Sequence, residues 1–208
     1  MARYINPVCK LCRREGKKLF LKGEKCYTPK CPIEKRPYAP GQHGKDRIKL
    51  TQYAKQLRSK QTMKRTYGVL ERQFRRYFDE AAKTKGVTGT MLVREVESRL
   101  DNVVFRLGFA ISRSQARQLV NHGHILVNGK RVDIPSYELR PGEEIELAER
   151  VRSNVEVKKA IEAGSSHTVA PWLEINYDLF KGKFVRMPEK EEIELPMDVQ
   201  DIVELYSK

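Results

Sequence analysis

All four cysteines of this 208-residue chain lie within its first 31 residues, at Cys9, Cys12, Cys26 and Cys31. The pattern is C-x2-C, thirteen residues, then C-x4-C. Two short-spaced pairs joined by a loop suit a tetrahedral thiolate site, because each pair supplies two sulfurs from one turn and the loop brings the pairs together. Lys10, Arg13, Arg14, Lys25 and Lys30 flank the sulfurs and favour their thiolate form. Two disulfides or four free thiols are the alternatives, and a reducing compartment argues against the first. Zn2+ is the first choice for a closed four-sulfur site; an iron–sulfur cluster also accepts four cysteines and stands second. The first forty residues hold few large apolar side chains, so a bound metal would supply folding free energy there. Glu15, Glu24 and Glu34 lie nearby, but no pocket pairs them with a substrate, so the site reads as structural and not catalytic.

Charge is the second constraint. The net charge is +14, and residues 1–65 carry 19 Lys+Arg against 4 Asp+Glu, whereas residues 161–208 carry 5 against 10. This asymmetry points to a polyanionic partner for the N-terminal third. A membrane surface would want a basic helix with a broad apolar face, and the basic third has cysteines, prolines and glycines instead. No apolar run approaches the length of a membrane span, and the N-terminus lacks a signal-peptide core. The expectation is a cytoplasmic protein with no membrane and no small-molecule substrate. The histidines His43, His122, His124 and His167 form no triad or ligand pattern, so the expected activity is binding without turnover.

Arg36 to Gly44, RPYAPGQHG, reads as a loop of fixed turns with Tyr38 and His43 available for stacking. Thr51 predicts an N-cap for a very basic helix running to about Tyr67 and stopped by Gly68. A second helix is expected over about 70–83, with Leu70, Phe74, Tyr77, Phe78 and Ala81 facing a core. Leu92, Val96, Leu100, Val103, Val104 and Leu107 predict one helix over 91–107, with Arg99, Asn102 and Arg106 on another face. Ser112 and Gln115 form a capping-box pattern for a helix reaching Asn121-His122, with Arg113, Arg117 and Asn121 together on its outward side. Asn128-Gly129 predicts a type I′ hairpin, with Lys130 and Arg131 beside its tip, and a further strand is expected at about 143–148. Beyond it, a helix over 152–163, strands over 172–177 and 183–187, and a closing helix over 198–206 complete the reading.

The segments ESRLDNVVFRLGFA (97–110), SRSQARQLVNHGHI (112–125) and VNGKRV (127–132) resemble the S-four RNA-binding module, which also occurs in some RNA-modifying enzymes. The flanks choose among its carriers. MARY at the start, the four cysteines, RPYAPGQHG, Tyr67-Gly68, ERQF at 71–74 and the final ELYSK together resemble the zinc-carrying form of the bacterial small-subunit ribosomal S-four family. That resemblance spans the chain. It implies an α+β fold built from a zinc-stabilised N-terminal arm, a helical domain and an inserted module of two helices plus a small antiparallel sheet. The implied domains are 1–45 for the arm, 46–95 for the helical rRNA-binding region, 96–150 for the module and 151–208 for a segment completing the helical domain.

The resemblance further implies a primary binder of 16S rRNA at a junction of its 5′ domain, which nucleates assembly of the 30S subunit and contributes to decoding accuracy. Ribosomal proteins S-five and S-three are the implied neighbours, where mRNA enters; because some members repress their own operon, its own mRNA is a further candidate partner. The candidate metal ligands are Cys9, Cys12, Cys26 and Cys31. The candidate rRNA contacts in the N-terminal third are Arg3, Arg13, Arg14, Lys22, Arg36, Tyr38, Gln42, His43, Arg47, Lys49, Lys55, Arg58 and Lys64. Arg72, Arg99, Arg106, Arg113, Arg117, Asn121, Lys130 and Arg131 complete the set. Two rivals are an RNA-modifying enzyme with the same module, for which no catalytic domain remains in the chain, and a zinc-stabilised DNA-binding regulator.

Overall fold

The computed structural model describes residues 3–46, 49–165 and 169–207. Helices α1 (Cys9–Glu15), α2 (Pro32–Lys35), α3 (Gln52–Thr66), α4 (Glu71–Lys83), α5 (Thr88–Glu97), α6 (Leu100–Arg106) and α7 (Arg113–Asn121) precede the first strand. Strands β1 (Ile125–Val127), β2 (Lys130–Arg131) and β3 (Glu144–Leu147), helices α8 (Glu149–Arg152) and α9 (Val155–Ser165), strands β4 (Leu173–Asn176) and β5 (Lys181–Phe184), and helix α10 (Gln200–Tyr206) follow. The chain divides into two compact units, residues 1–92 with 194–208, and residues 93–193. No helix among the described residues is long and apolar enough to cross a membrane.

In the first unit, the arm has a very small core: Cys12, Leu19, Cys31 and Ile33, with Leu21 packed against them. Thr51 caps α3, its hydroxyl accepting the Ala54 N–H at 3.2 Å. Helix α4 buries Phe74, Tyr77, Phe78 and Ala81, the spacing expected of one helical face. The chain then returns after residue 193 to lay α10 on α3. Gln56 donates to Glu204 at 2.7 Å, Ser59 donates to Asp201 at 2.8 Å, and Tyr206 packs its ring 4.6 Å from that of Phe78.

At the end of α10, Glu71 accepts hydrogen bonds from Lys60 at 2.5 Å, Lys64 at 2.9 Å and the Tyr206 hydroxyl at 2.9 Å. Partial burial alone would raise the Glu71 pKa, but these three donors outweigh it and hold the carboxyl down to about 2. The stabilisation is therefore complete above the ordinary carboxylate pKa near 4.5 and disappears as pH falls from there through about 2. Acid titration of the Tm should show this loss over that window, and Glu71→Gln should flatten the profile there; an unchanged profile would show that the network contributes nothing.

In the second unit the sheet runs β2-β1-β3-β5-β4, with every pair antiparallel. Asn128 and Gly129 both have positive φ, 50° and 76°, as a type I′ turn requires. Ser112 caps α7 by accepting from the Gln115 N–H, while the Gln115 side chain reaches back to the Ile111 N–H at 2.8 Å. Two sequence expectations need correction. The helix expected over 91–107 is broken at Ser98-Arg99, where Arg99 is extended (φ −61°, ψ 136°). The 134–139 segment takes the backbone groups a continuous helix would have used. Leu100 N–H donates to Tyr137 O at 2.8 Å, Asp101 N–H to Pro135 O at 3.2 Å, and Leu139 N–H to Ser98 O at 2.9 Å. The segment 151–208 also does not stay together: residues 151–193 belong with the sheet and 194–208 with α3 and α4. Strand β5 pairs with β3 because Gly182 has no side chain. A Cβ there would stand 2.7 Å from both Leu107 methyl carbons, which instead pack against the sheet.

Candidate nucleic-acid interface

The arm gathers its cysteines at one small cavity lined by all four, together with Val8, Leu21, Lys22, Lys25, Pro32 and Ile33. All four are free thiols; Cys12, Cys26 and Cys31 are buried and Cys9 is half-buried. The Lys22 N–H donates to the Cys26 sulfur at 3.4 Å, and the Leu19 backbone bonds the Cys12 sulfur. Burial pushes both of these thiols up, backbone donation opposes it, and the other sulfurs add repulsion between thiolates. A divalent cation at the cavity would remove that repulsion. Among the described residues no three of these sulfurs lie within 4.8 Å of one another, so a bound ion would draw them closer.

The arm is tied to α3 by Glu15, whose side chain is 1% exposed. Its carboxylate accepts from Arg58 and Thr62, each at 3.3 Å, and from Arg65. The sequence reading found no role for Glu15. The basic face of α3 is not left to a polyanion alone. Lys55 instead pairs with Asp201 at 3.4 Å, Arg58 with Glu15, and Lys60 and Lys64 with Glu71. Lys55, Arg58 and Lys64 of the candidate set are therefore engaged internally, and burial lowers the Arg58 pKa.

The candidates outside α3 divide by burial. Arg3, Arg14, Lys22, Arg36, Gln42, His43, Lys49, Arg72, Asn121, Lys130 and Arg131 are exposed, while Arg47, like Met1 and Ala2 of the N-terminal motif, lies outside the described residues. Arg13 donates to Tyr38 O at 3.0 Å and lies 5.0 Å above its ring, with Lys45 at 5.1 Å. Tyr38 thus already carries two cations. His43 bonds Asp46 at 2.8 Å and remains exposed.

Within the module the expected outward arginine face is corrected. Arg99 is 1% exposed and Arg117 6%, and both point at Asp101, itself 3% exposed. Arg99 grips Asp101 through two bonds, of 3.0 and 2.6 Å, and Arg117 reaches it at 3.3 Å. Both guanidinium groups are thus buried against Asp101 inside the unit and do not form an outward face. Asn102 is also buried, donating to the Glu97 carboxylate and accepting from Arg113 at 2.8 Å. Arg106 pairs with Glu97 at 2.6 Å and Arg113 lies 4.6 Å above the Phe105 ring; both are half-buried. Lys130 and Arg131 remain exposed on this unit, and Arg150, absent from the candidate set, lies exposed as well. The signal for Arg150 was only tertiary: its guanidinium reaches the His122 and Gly123 carbonyls across 28 and 27 residues.

Comparison with known proteins decides the family. Residues 3–97 match the Ribosomal protein S4/S9 N-terminal domain and residues 98–145 the S4 domain. The Small ribosomal subunit protein uS4 of Kosmotoga olearia is 62% identical over the whole of both chains. The chain belongs to the uS4 family. Full-length similarity extends to the proteins of the same name from Thermotoga petrophila, at 59% identity, and Thermus thermophilus, at 56%. The boundary between the two family matches, at Glu97 and Ser98, coincides with the break between α5 and α6. The structure is a mixed helical and sheet fold carrying an S4 domain.

Proposed function

We propose that this uS4-family chain is a structural constituent of the small ribosomal subunit, binding the 5′ domain of 16S rRNA directly and without the help of other proteins. The observation that carries this reading is the placement of exposed cations. Arg3, Arg14, Lys22, Arg36 and Lys49 lie exposed on the first unit and Lys130 and Arg131 on the second, outside the ion pairs formed among the described residues. Such groups neutralise phosphates and release counterions, which gives affinity with strong salt dependence. Rigid modules carrying fixed cations read the shape of folded RNA more than its linear sequence. Early binding to 16S rRNA would nucleate 30S assembly, with contacts to ribosomal proteins S-five and S-three and an effect on decoding accuracy. The ribosome places the protein in the cytoplasm.

The arm holds one structural metal ion in this reading, with Cys9, Cys12, Cys26 and Cys31 as ligands and Zn2+ as the ion. The donor set fits: four sulfurs line one cavity, and two of them receive backbone N–H groups, which relieve thiolate charge. The metal would supply folding free energy to a segment with only five core side chains.

Crosslinking of the full chain in cell extract, followed by sequencing of the recovered RNA, tests the assignment. 16S fragments from the 5′ domain are expected. Recovery of DNA, or of RNA spread evenly over all transcripts, would overturn it. Purified chain should also bind protein-free 16S rRNA with an affinity that falls steeply from 50 to 200 mM salt.

A further inference from the structure

We propose that Arg131 and Arg150 together seat a single backbone phosphate at the C-terminal end of α7. The inference rests on folded RNA being the ligand and adds a named site to that reading. Arg150 falls outside the residues matched to the S4 domain.

Helix α7 ends in carbonyls that its own N–H groups leave unused. The His122 carbonyl oxygen accepts from Arg131 Nη2 at 3.3 Å and from Arg150 Nη2 at 3.0 Å, and Arg150 Nη2 also reaches Gly123 O at 3.3 Å. Two guanidinium groups, one from β2 and one from α8, are thereby fixed on the same oxygen. Both residues are exposed, and among the described residues neither forms an ion pair with a carboxylate. A guanidinium carries five N–H donors, so the helix end leaves most of them unused.

Holding two like charges this close is unfavourable, and the partial negative charge at a helix end offsets it only in part. An oxyanion bridging the two would remove the cost. Phosphate suits the pair best, because each guanidinium can offer parallel N–H groups to two of its oxygens. The cradle is built around the absence of a side chain. A Cβ on Gly123 (φ +63°) would stand 1.8 Å from Arg131 Nε, so the guanidinium lies directly across the glycine backbone. The two histidines share the same positive field. Their rings meet edge-on at 5.9 Å, and the buried His124 Nδ1 has no hydrogen-bond partner among the described residues. His124 is held below the ordinary histidine range, by burial first and then by Arg150, His122 and Arg131.

The test uses the full metallated chain and a 16S 5′-domain transcript. Kd is measured against KCl concentration for wild type, Arg131→Gln, Arg150→Gln and the double variant. One shared phosphate predicts that the double variant lowers the slope of log affinity against log salt by about 0.7–0.9, the value for one contact. Each single variant should lose most of that amount, so the two losses do not add. Arg150→Lys keeps a cation at the same place and should preserve the slope; matched thermal melts show that all variants are folded. The second readout is the His124 imidazole by NMR: RNA should raise its pKa in the wild type and not in the double variant. An unchanged slope in the double variant would reduce both arginines to helix caps. A loss of about twice one contact would mean two separate phosphates, and either result overturns the shared seat. A wild-type chain that does not bind the transcript at all would instead overturn the wider RNA reading, before any variant is compared.

Discussion

Replacing Cys12 by serine is expected to unfold the arm over about residues 8–36, and chelation of the wild-type protein should do the same. Cys12 is 7% exposed, and besides its proposed metal bond it is one of four buried residues in the arm's core. Structural Zn2+ in comparable small sites contributes roughly 10–16 kcal/mol of apparent binding free energy, far more than Leu19, Leu21 and Ile33 packed around Cys12 and Cys31 can supply. The loss should travel further than the arm. Helix α1 carries both Cys12 and Glu15, and Glu15 is the buried carboxylate that accepts from Arg58, Thr62 and Arg65 on α3. With α1 unfolded, those cations lose their partner. Metal content by mass spectrometry, amide hydrogen exchange and RNA affinity should therefore change together: no bound ion, rapid exchange over α1 and α2, and at least tenfold weaker RNA binding. A Cys12→Ser protein that keeps slow exchange through α1 would remove the structural role of the thiolate site.

The second large effect is expected at Asp101, far from any proposed phosphate. Asp101→Ala removes the buried carboxylate that Arg99 and Arg117 both bond, the two arginines being 1% and 6% exposed. Removing one partner of a buried pair typically destabilises by about 3–5 kcal/mol, because the remaining charge cannot return to water. Trp172 is the only tryptophan and is 1% exposed in the same unit, so urea unfolding followed by its fluorescence reports this unit directly. The midpoint should fall sharply, while the salt slope of RNA binding by the folded protein stays at its wild-type value. If the slope fell and stability did not, Arg99 and Arg117 would return to the phosphate-contact set. Arg131→Gln should show the reverse pattern, since its guanidinium is exposed and makes one hydrogen bond to a backbone carbonyl.

These contrasts mark how far the sequence could be read. The Thr51 and Ser112 caps, the Asn128-Gly129 hairpin and the apolar face of α4 are local features, each decided within a few residues, and each appears where the pattern puts it. The break at Ser98-Arg99 was invisible because the apolar stripe continues across it; its cause is the 134–139 segment, more than thirty residues on. The sheet had the same limit. The Asn128-Gly129 hairpin was legible, but the strand expected over 183–187 runs over Lys181–Phe184 instead, and its union with the other hairpin through β3 depends on Gly182 meeting Leu107.

The sequence by itself determined the chemistry available: four thiols at metal-binding spacing, a cation-dense N-terminal third, and a family likeness strong enough to name RNA as the ligand. Only the tertiary structure decided where each charge is used. Period and spacing place Arg113 and Arg117 on a helix, but a guanidinium is long and reaches whichever acceptor the fold brings near. The fold brings Asp101 to Arg99 and Arg117, and to Arg131 and Arg150 the backbone carbonyls of His122 and Gly123. An arginine matched by a buried carboxylate holds the protein together, whereas one resting on a carbonyl keeps its charge for a partner, and that difference is a long-range property of the folded chain.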